Sequence, residues 1–122
     1  MPLVYRLLSL AMKAANLTLK FLLELAALAS FAIWGAESES GALAVAHAII
    51  APLIVALLWA RFAAPRSAHR LPRATRIPFE MTVFAAAVVA LAVSGHGAWA
   101  IGLGVVMAIN AALMTAWDQW DG

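Results

Sequence analysis

Apolar residues fill the chain in long runs separated by short polar patches, and the lengths of those runs decide the architecture. From Leu17 to Ala36 the charges are Lys20 and Glu24, and Glu37-Ser-Glu39-Ser-Gly41 then ends the run with polar and turn-forming residues. Gly41 to Ala60 is 20 residues without a charge, closed by Trp59 and Arg61, an aromatic and a cation suited to a membrane interface. The stretch from Ala63 to Ile77 holds Arg66, Arg70, Arg73, Arg76, Pro65, Pro72 and His69, and is expected to be a loop, because so many cations have no place in hydrocarbon. Met81 to Trp117 is 37 residues without a charge. As one helix it would be roughly 55 Å long, too long for a single crossing, so Ser94-Gly95-His96-Gly97 is expected to divide it into two helices.

The expected spans are therefore about 17–36, 41–62, 78–94 and 97–117, within a transmembrane domain covering 16–122. Residues 1–15 are read separately. Leu3, Val4, Leu7, Leu8, Ala11, Met12 and Ala15 share one helical face, with Tyr5, Arg6, Ser9 and Lys13 opposite, the pattern of an amphipathic helix lying in the interface. A cleavable signal peptide fits less well, since Glu24 interrupts the apolar region and Trp34-Gly35-Ala36 is a poor cleavage site, so retention is expected.

Composition agrees with lipid as the solvent: 66% of the residues are hydrophobic and 11% are charged, where an ordinary soluble domain carries about 25% charged residues. The fold class is thus an all-α integral membrane protein, a four-transmembrane-helix bundle built as two tandem helical hairpins. The basic pI of about 9.7 does not indicate nucleic acid, because the cations flank apolar spans, where headgroups and topology account for them. All Lys and Arg precede the first span or lie at its start, end the second span as Arg61 does, or fall between the second and third, which predicts that both termini are cytoplasmic. There are no cysteines, and no nucleophile–base pair, phosphate loop or metal motif, so an enzyme and a cofactor are not expected. His47 and His96 share no ligand spacing that would mark a metal site.

Sliding the chain by 56 residues sets Lys20-x-x-x-Glu24 over Arg76-x-x-x-Glu80, with 10 identities in the 41 pairs that start from residues 20–60. Composition alone would give roughly four or five, so an internal parallel repeat is expected. Ala44, Ala48, Pro52, Ala56 and Ala60 then fall over Ala100, Gly104, Ala108, Ala112 and Ala116, and the second and fourth helices are expected to pack through the small residues Ala48, Ala56 and Ala60 on one and Gly104, Ala108 and Ala112 on the other, within one chain or between copies. Pro52 removes a backbone donor in mid-helix and permits a kink.

Polar groups inside the spans are the candidate functional residues. Glu24 and Glu80 lie about one turn inside their helices, and a carboxylate in hydrocarbon costs at least about 2.5 kcal/mol, so each needs a reason. Lys20 and Arg76 stand four residues before them, and Arg61 ends the neighbouring helix at the same depth, so salt bridges are the leading reading and proton or cation handling the rival. Asn110 lies in an otherwise apolar segment and is expected to hydrogen-bond to another helix.

The runs Leu19-Lys-Phe-Leu-Leu-Glu24-Leu, Trp34-Gly35, Trp59-Ala-Arg61-Phe-Ala-Ala-Pro65, Arg70-Leu-Pro72, Glu80, Asn110 and Trp117-Asp-Gln119 together resemble the YrdB-like family of small bacterial membrane proteins, over about residues 16–119. That resemblance implies a compact four-helix protein of the bacterial cytoplasmic membrane, in a family whose biochemical role is unassigned. Two functions remain in competition. One is a non-enzymatic structural or accessory membrane component, surrounded by the lipid bilayer. The other is a small homo-oligomeric transporter or channel in which Glu24 and Glu80 bind protons or cations.

Overall fold

The computed structural model describes residues 2–121; Met1 and Gly122, the outer limits of the two ranges expected from sequence, lie outside it. The described residues form four α-helices: α1 (Leu3–Glu37), α2 (Gly41–Phe62), α3 (Arg73–Val93) and α4 (Gly97–Ala116). Each is long and apolar enough to cross a membrane.

α1 is one uninterrupted helix of 35 residues, with no break near residue 15 to separate an amphipathic segment from the span. Nothing in the local sequence stops it, since Lys13 to Leu19 contains neither Gly nor Pro. α3 begins at Arg73, five residues before the expected start of its span. Lipid would reject those arginines, but a helix can run on past the hydrocarbon when its cations find partners, and Arg73 and Arg76 both find them below. Pro72 stands at the N-cap, and Pro78 lies inside the helix near its start. The turns use residues suited to them: Gly41 and Gly95 adopt φ of 63° and 89°, where a side chain would be strained.

α1 is the central helix. It packs against α2, α3 and α4, and α3 packs against α4. The core is Leu23 and Ala27 of α1, Phe84 and Ala87 of α3 and Met107 of α4. α2 contributes no buried residue. It lies along α1 and meets α3 at one end through aromatic contacts, Trp59 tilted against Phe79 and Phe84, and Phe62 edge-on to Phe79.

This arrangement corrects the expected packing of α2 on α4. Within the chain those two helices do not form a packed pair, because α1 occupies the position between them. Ala56 and Ala60 line a cavity between α1, α2 and α3, Gly104 faces Val88 of α3, and Ala108 and Ala112 are exposed. The close helix approach is elsewhere. A Cβ on Gly35 would overlap the backbone carbonyl of His47 and stand 3.0 Å from the Ala48 nitrogen, so glycine is what lets α1 and α2 meet there. The two hairpins are also unequal, since α4 packs on α1 while α2 has no comparable seat on α3.

Candidate functional site

The up-and-down course of the four helices brings every Lys and Arg to one end of the bundle, the end holding the 63–72 connection and the chain terminus. Lys20 is the hub of that end. Its Nζ lies 2.7 Å from Glu80 Oε1 on α3 and 3.4 Å from Glu24 Oε1, one turn along α1. Glu80 is completely covered at 2% exposure, and its second oxygen is 3.5 Å from Arg76 Nε, one turn before it on α3. The i,i+4 spacing seen in both helices therefore places Lys20, Glu24, Glu80 and Arg76 in one chain of alternating charge. Trp59 and Trp120 flank the Lys20 ammonium, with ring centroids 5.7 and 5.6 Å away, so the cation is held by rings as well as carboxylates.

Arg76 shows what makes burial of a guanidinium tolerable. Its Nη2 donates to the Trp120 carbonyl at 2.7 Å and to Asp121 Oδ1 at 2.8 Å, and its Nη1 donates to the Leu71 carbonyl at 3.0 Å. Its Nε is close enough to Glu80 for charge attraction yet has no hydrogen-bond partner among the described residues. Arg73 pairs with Asp118 and Asp121, each at 2.8 Å, and Arg70 donates to the carbonyls of Ala63, Trp120 and Asp121. The three arginines thereby fasten the last residues of the chain over the end of the bundle. Hydrogen bonds from Arg76 and then Arg73 hold the Asp121 carboxyl below its ordinary value. Arg61 is not part of this network: it is exposed, with its guanidinium over the Phe62 ring.

Beside the ion chain is a neutral one. Asn110 of α4, 1% exposed, donates to the backbone and side-chain oxygens of Asn16 on α1 at 3.0 and 2.9 Å. Asn16 in turn donates to Gln119 Oε1 at 2.9 Å, and Gln119 donates to the Lys13 carbonyl at 2.9 Å. Asn16 is thus a further site residue, and its signal was available: an amide in a helical stretch between apolar neighbours.

None of the stripe residues Ala48, Ala56, Ala60, Gly104, Ala108 and Ala112 contributes a side chain to these bonds, though Ala56 and Ala60 line a cavity with Glu24. At the opposite end Glu37 and His96 face each other at 3.0 Å, and among the described residues no three His, Asp or Glu side chains converge as metal ligands.

Two cavities meet at the charged end. One, of about 420 Å³, is lined by Lys20, Glu24, Glu80, Arg70, Trp59 and Trp120 among others. The second, of about 290 Å³, runs between α1, α2 and α3 and is apolar apart from Glu24. Phe21, Glu24, Trp59 and Ala64 border both.

The model of a family described as a protein of unknown function, DUF2568, matches residues 18–108. The chain belongs to this family. The matched residues contain Lys20, Glu24, Arg61, Arg76 and Glu80, and they stop short of Asn110 and the C-terminal fastening. The uncharacterized protein YrdB of Bacillus subtilis (strain 168) is 34% identical over 83 residues, covering 62% of this chain and 68% of that protein. No solved structure matches.

Proposed function

We propose that this member of the DUF2568 family is a non-enzymatic, multi-pass component of the bacterial cytoplasmic membrane, with both termini and the 63–77 segment in the cytoplasm. Its charged residues act as a structural clamp on the cytoplasmic ends of the helices. The observation that carries this reading is the commitment of the buried charges to one another: Lys20 and Arg76 converge on Glu80, and Arg76 continues to Asp121. Charges spent on internal partners hold helices together and are not free to carry a substrate. The orientation rests on the gathering of all eight Lys and Arg at one end. The surroundings of the protein are the lipid bilayer, and neither nucleic acid nor a cofactor has a part in this reading.

Two measurements test it. A reporter fused to the C-terminus should be active when it requires the cytoplasm, and activity restricted to the outside would overturn the orientation. Glu24→Gln should lower stability in detergent while leaving proton flux through reconstituted vesicles at the protein-free level.

One observation favours the second reading, a proton- or cation-coupled transporter. Glu24 is less committed than Glu80: its side chain is 25% exposed against 3% for Glu80, and it faces both cavities. Flux in wild-type vesicles that Glu24→Gln abolishes would select that reading over the clamp.

A further inference from the structure

We infer that Glu24 and the cleft between α1, α2 and α3 form a binding site for a lipophilic organic cation, a single positive charge carried on an apolar or aromatic body. The inference deepens the second reading by naming a ligand class, and binding is a separate quantity from flux, so either can fail alone.

The cleft supplies the parts such a molecule needs. Its body would lie among Leu28, Val55, Val83 and Phe84, where Glu24 is the one charged residue of the lining. A carboxylate at the mouth of an apolar cavity favours positive charge, since it attracts a cation, repels an anion and offers a neutral guest no charge contact. Trp59 borders the same mouth and presents a ring to a cation. The two connected cavities, of about 290 and 420 Å³, have the scale of small-molecule sites.

The site must also be able to exchange its resident cation. Lys20 now serves Glu24, but at 3.4 Å, whereas it stands 2.7 Å from Glu80 and lies between two Trp rings. When a guest cation pairs with Glu24, Lys20 keeps Glu80, Trp59 and Trp120 as partners. Binding therefore replaces the longer of two ion pairs and leaves the buried carboxylate neutralised. Protons compete for the same carboxylate, so occupancy should fall as pH falls.

The test is equilibrium binding of tetraphenylphosphonium to the full chain in detergent, with triphenylphosphine oxide as a neutral control of similar shape. Saturable binding of the cation and none of the neutral compound is expected. Glu24→Gln should weaken it at least about tenfold, the loss of one charge-assisted contact. Ala56→Phe fills the cleft without touching a charge, and should abolish binding while circular dichroism remains that of the wild type. Absence of saturable binding to folded wild type, or binding indifferent to either folded variant, would overturn the inference. So would a co-purified phospholipid that tetraphenylphosphonium cannot displace, or dissociation of an oligomer by Ala56→Phe, which would give the cleft to lipid or to a second copy.

Discussion

The two ends of the bundle are held together by different physics. At the charged end, helices are joined by side chains that reach across gaps: Lys20 to Glu80, Asn110 to Asn16, Arg76 to the final residues. At the opposite end the backbones themselves come close, at Gly35 against His47 and Ala48, and the visible ion pair, Glu37 with His96, is exposed. Long charged side chains act at a distance and so leave room, and the two joined cavities open at that end. Close backbone contact leaves none between α1 and α2; the room at that end, a cavity of about 660 Å³ bordered by Ser30, Ile33, His96 and Trp99, lies between α1 and α4 instead. In a membrane, where burying apolar side chains against one another gains little over lipid, these are the two means of joining helices, and the chain assigns one to each end.

Removing the hub should have the largest effect. Lys20→Met leaves Glu80 buried with only the imperfectly aligned Arg76, and Glu24 without its cation. Breaking a buried pair costs about 3–5 kcal/mol, and the low end is expected because Arg76 remains. Denaturation in mild detergent should register the loss, and Lys20→Met combined with Glu80→Met should recover most of it. A stable Lys20→Met would mean that the charges are not what binds α1 to α3.

At the opposite end Gly35→Ala should cost about 1–3 kcal/mol, the range for forcing atoms into a closed contact, because the obstruction is the backbone of α2 and cannot rotate away. Gly104→Ala is the matched control. Its Cβ would meet Val88 at 3.7 Å, an ordinary contact, and stability should change by less than about 0.5 kcal/mol. Equal effects from the two glycines would erase the contrast between the ends.

Asn110→Leu should fall between, at about 1 kcal/mol. Interhelical hydrogen bonds in membranes average about 0.6 kcal/mol, and the substitution also leaves Asn16 with an unanswered oxygen. Its signature should be local, with faster amide exchange around Asn16 and Gln119 and little at Gly35.

Much of this was legible before any coordinates. Run lengths revealed four helices, and Lys20, Glu24, Arg76 and Glu80 stood out because charge inside an apolar run demands a partner. The partners one turn away, Lys20 for Glu24 and Arg76 for Glu80, were legible from spacing, but the pairing across helices was not. Arg61 and Lys20 lie at similar depth in the sequence, yet only Lys20 has the azimuth to reach Glu80, and that depends on how the helices are rotated. The stripes of α2 and α4 do not meet within the chain for the same reason: a repeat of small residues says that something packs closely, not what. Gly35 was visible as a lone glycine within a span, but its contact belongs to α2 and appears only when the hairpin closes. Asp121 and Trp120, two residues from the chain's end, carry no periodic signal at all.

The smallest effect expected is at that end, and it sharpens the comparison because it turns on pH. Asp121 is exposed, and Arg76 and Arg73 hold its carboxyl below the ordinary value of 3.8. A folded value below the unfolded one means that the contribution is fully present above pH 3.8 and is lost as pH falls through the lower folded value. The fastening of residues 118–121 should loosen in that window, while the apolar contacts of Leu23 and Ala27 with Phe84 and Ala87 keep α1 on α3. The protection of the C-terminal peptide against hydrogen–deuterium exchange, taken relative to the intrinsic rate at each pH, should drop below pH 3.8 in the wild type. In Asp121→Asn it should already be low at neutral pH and show no step. A global loss of helicity in the same window would mean that the fastening is not separable from the rest of the charged end.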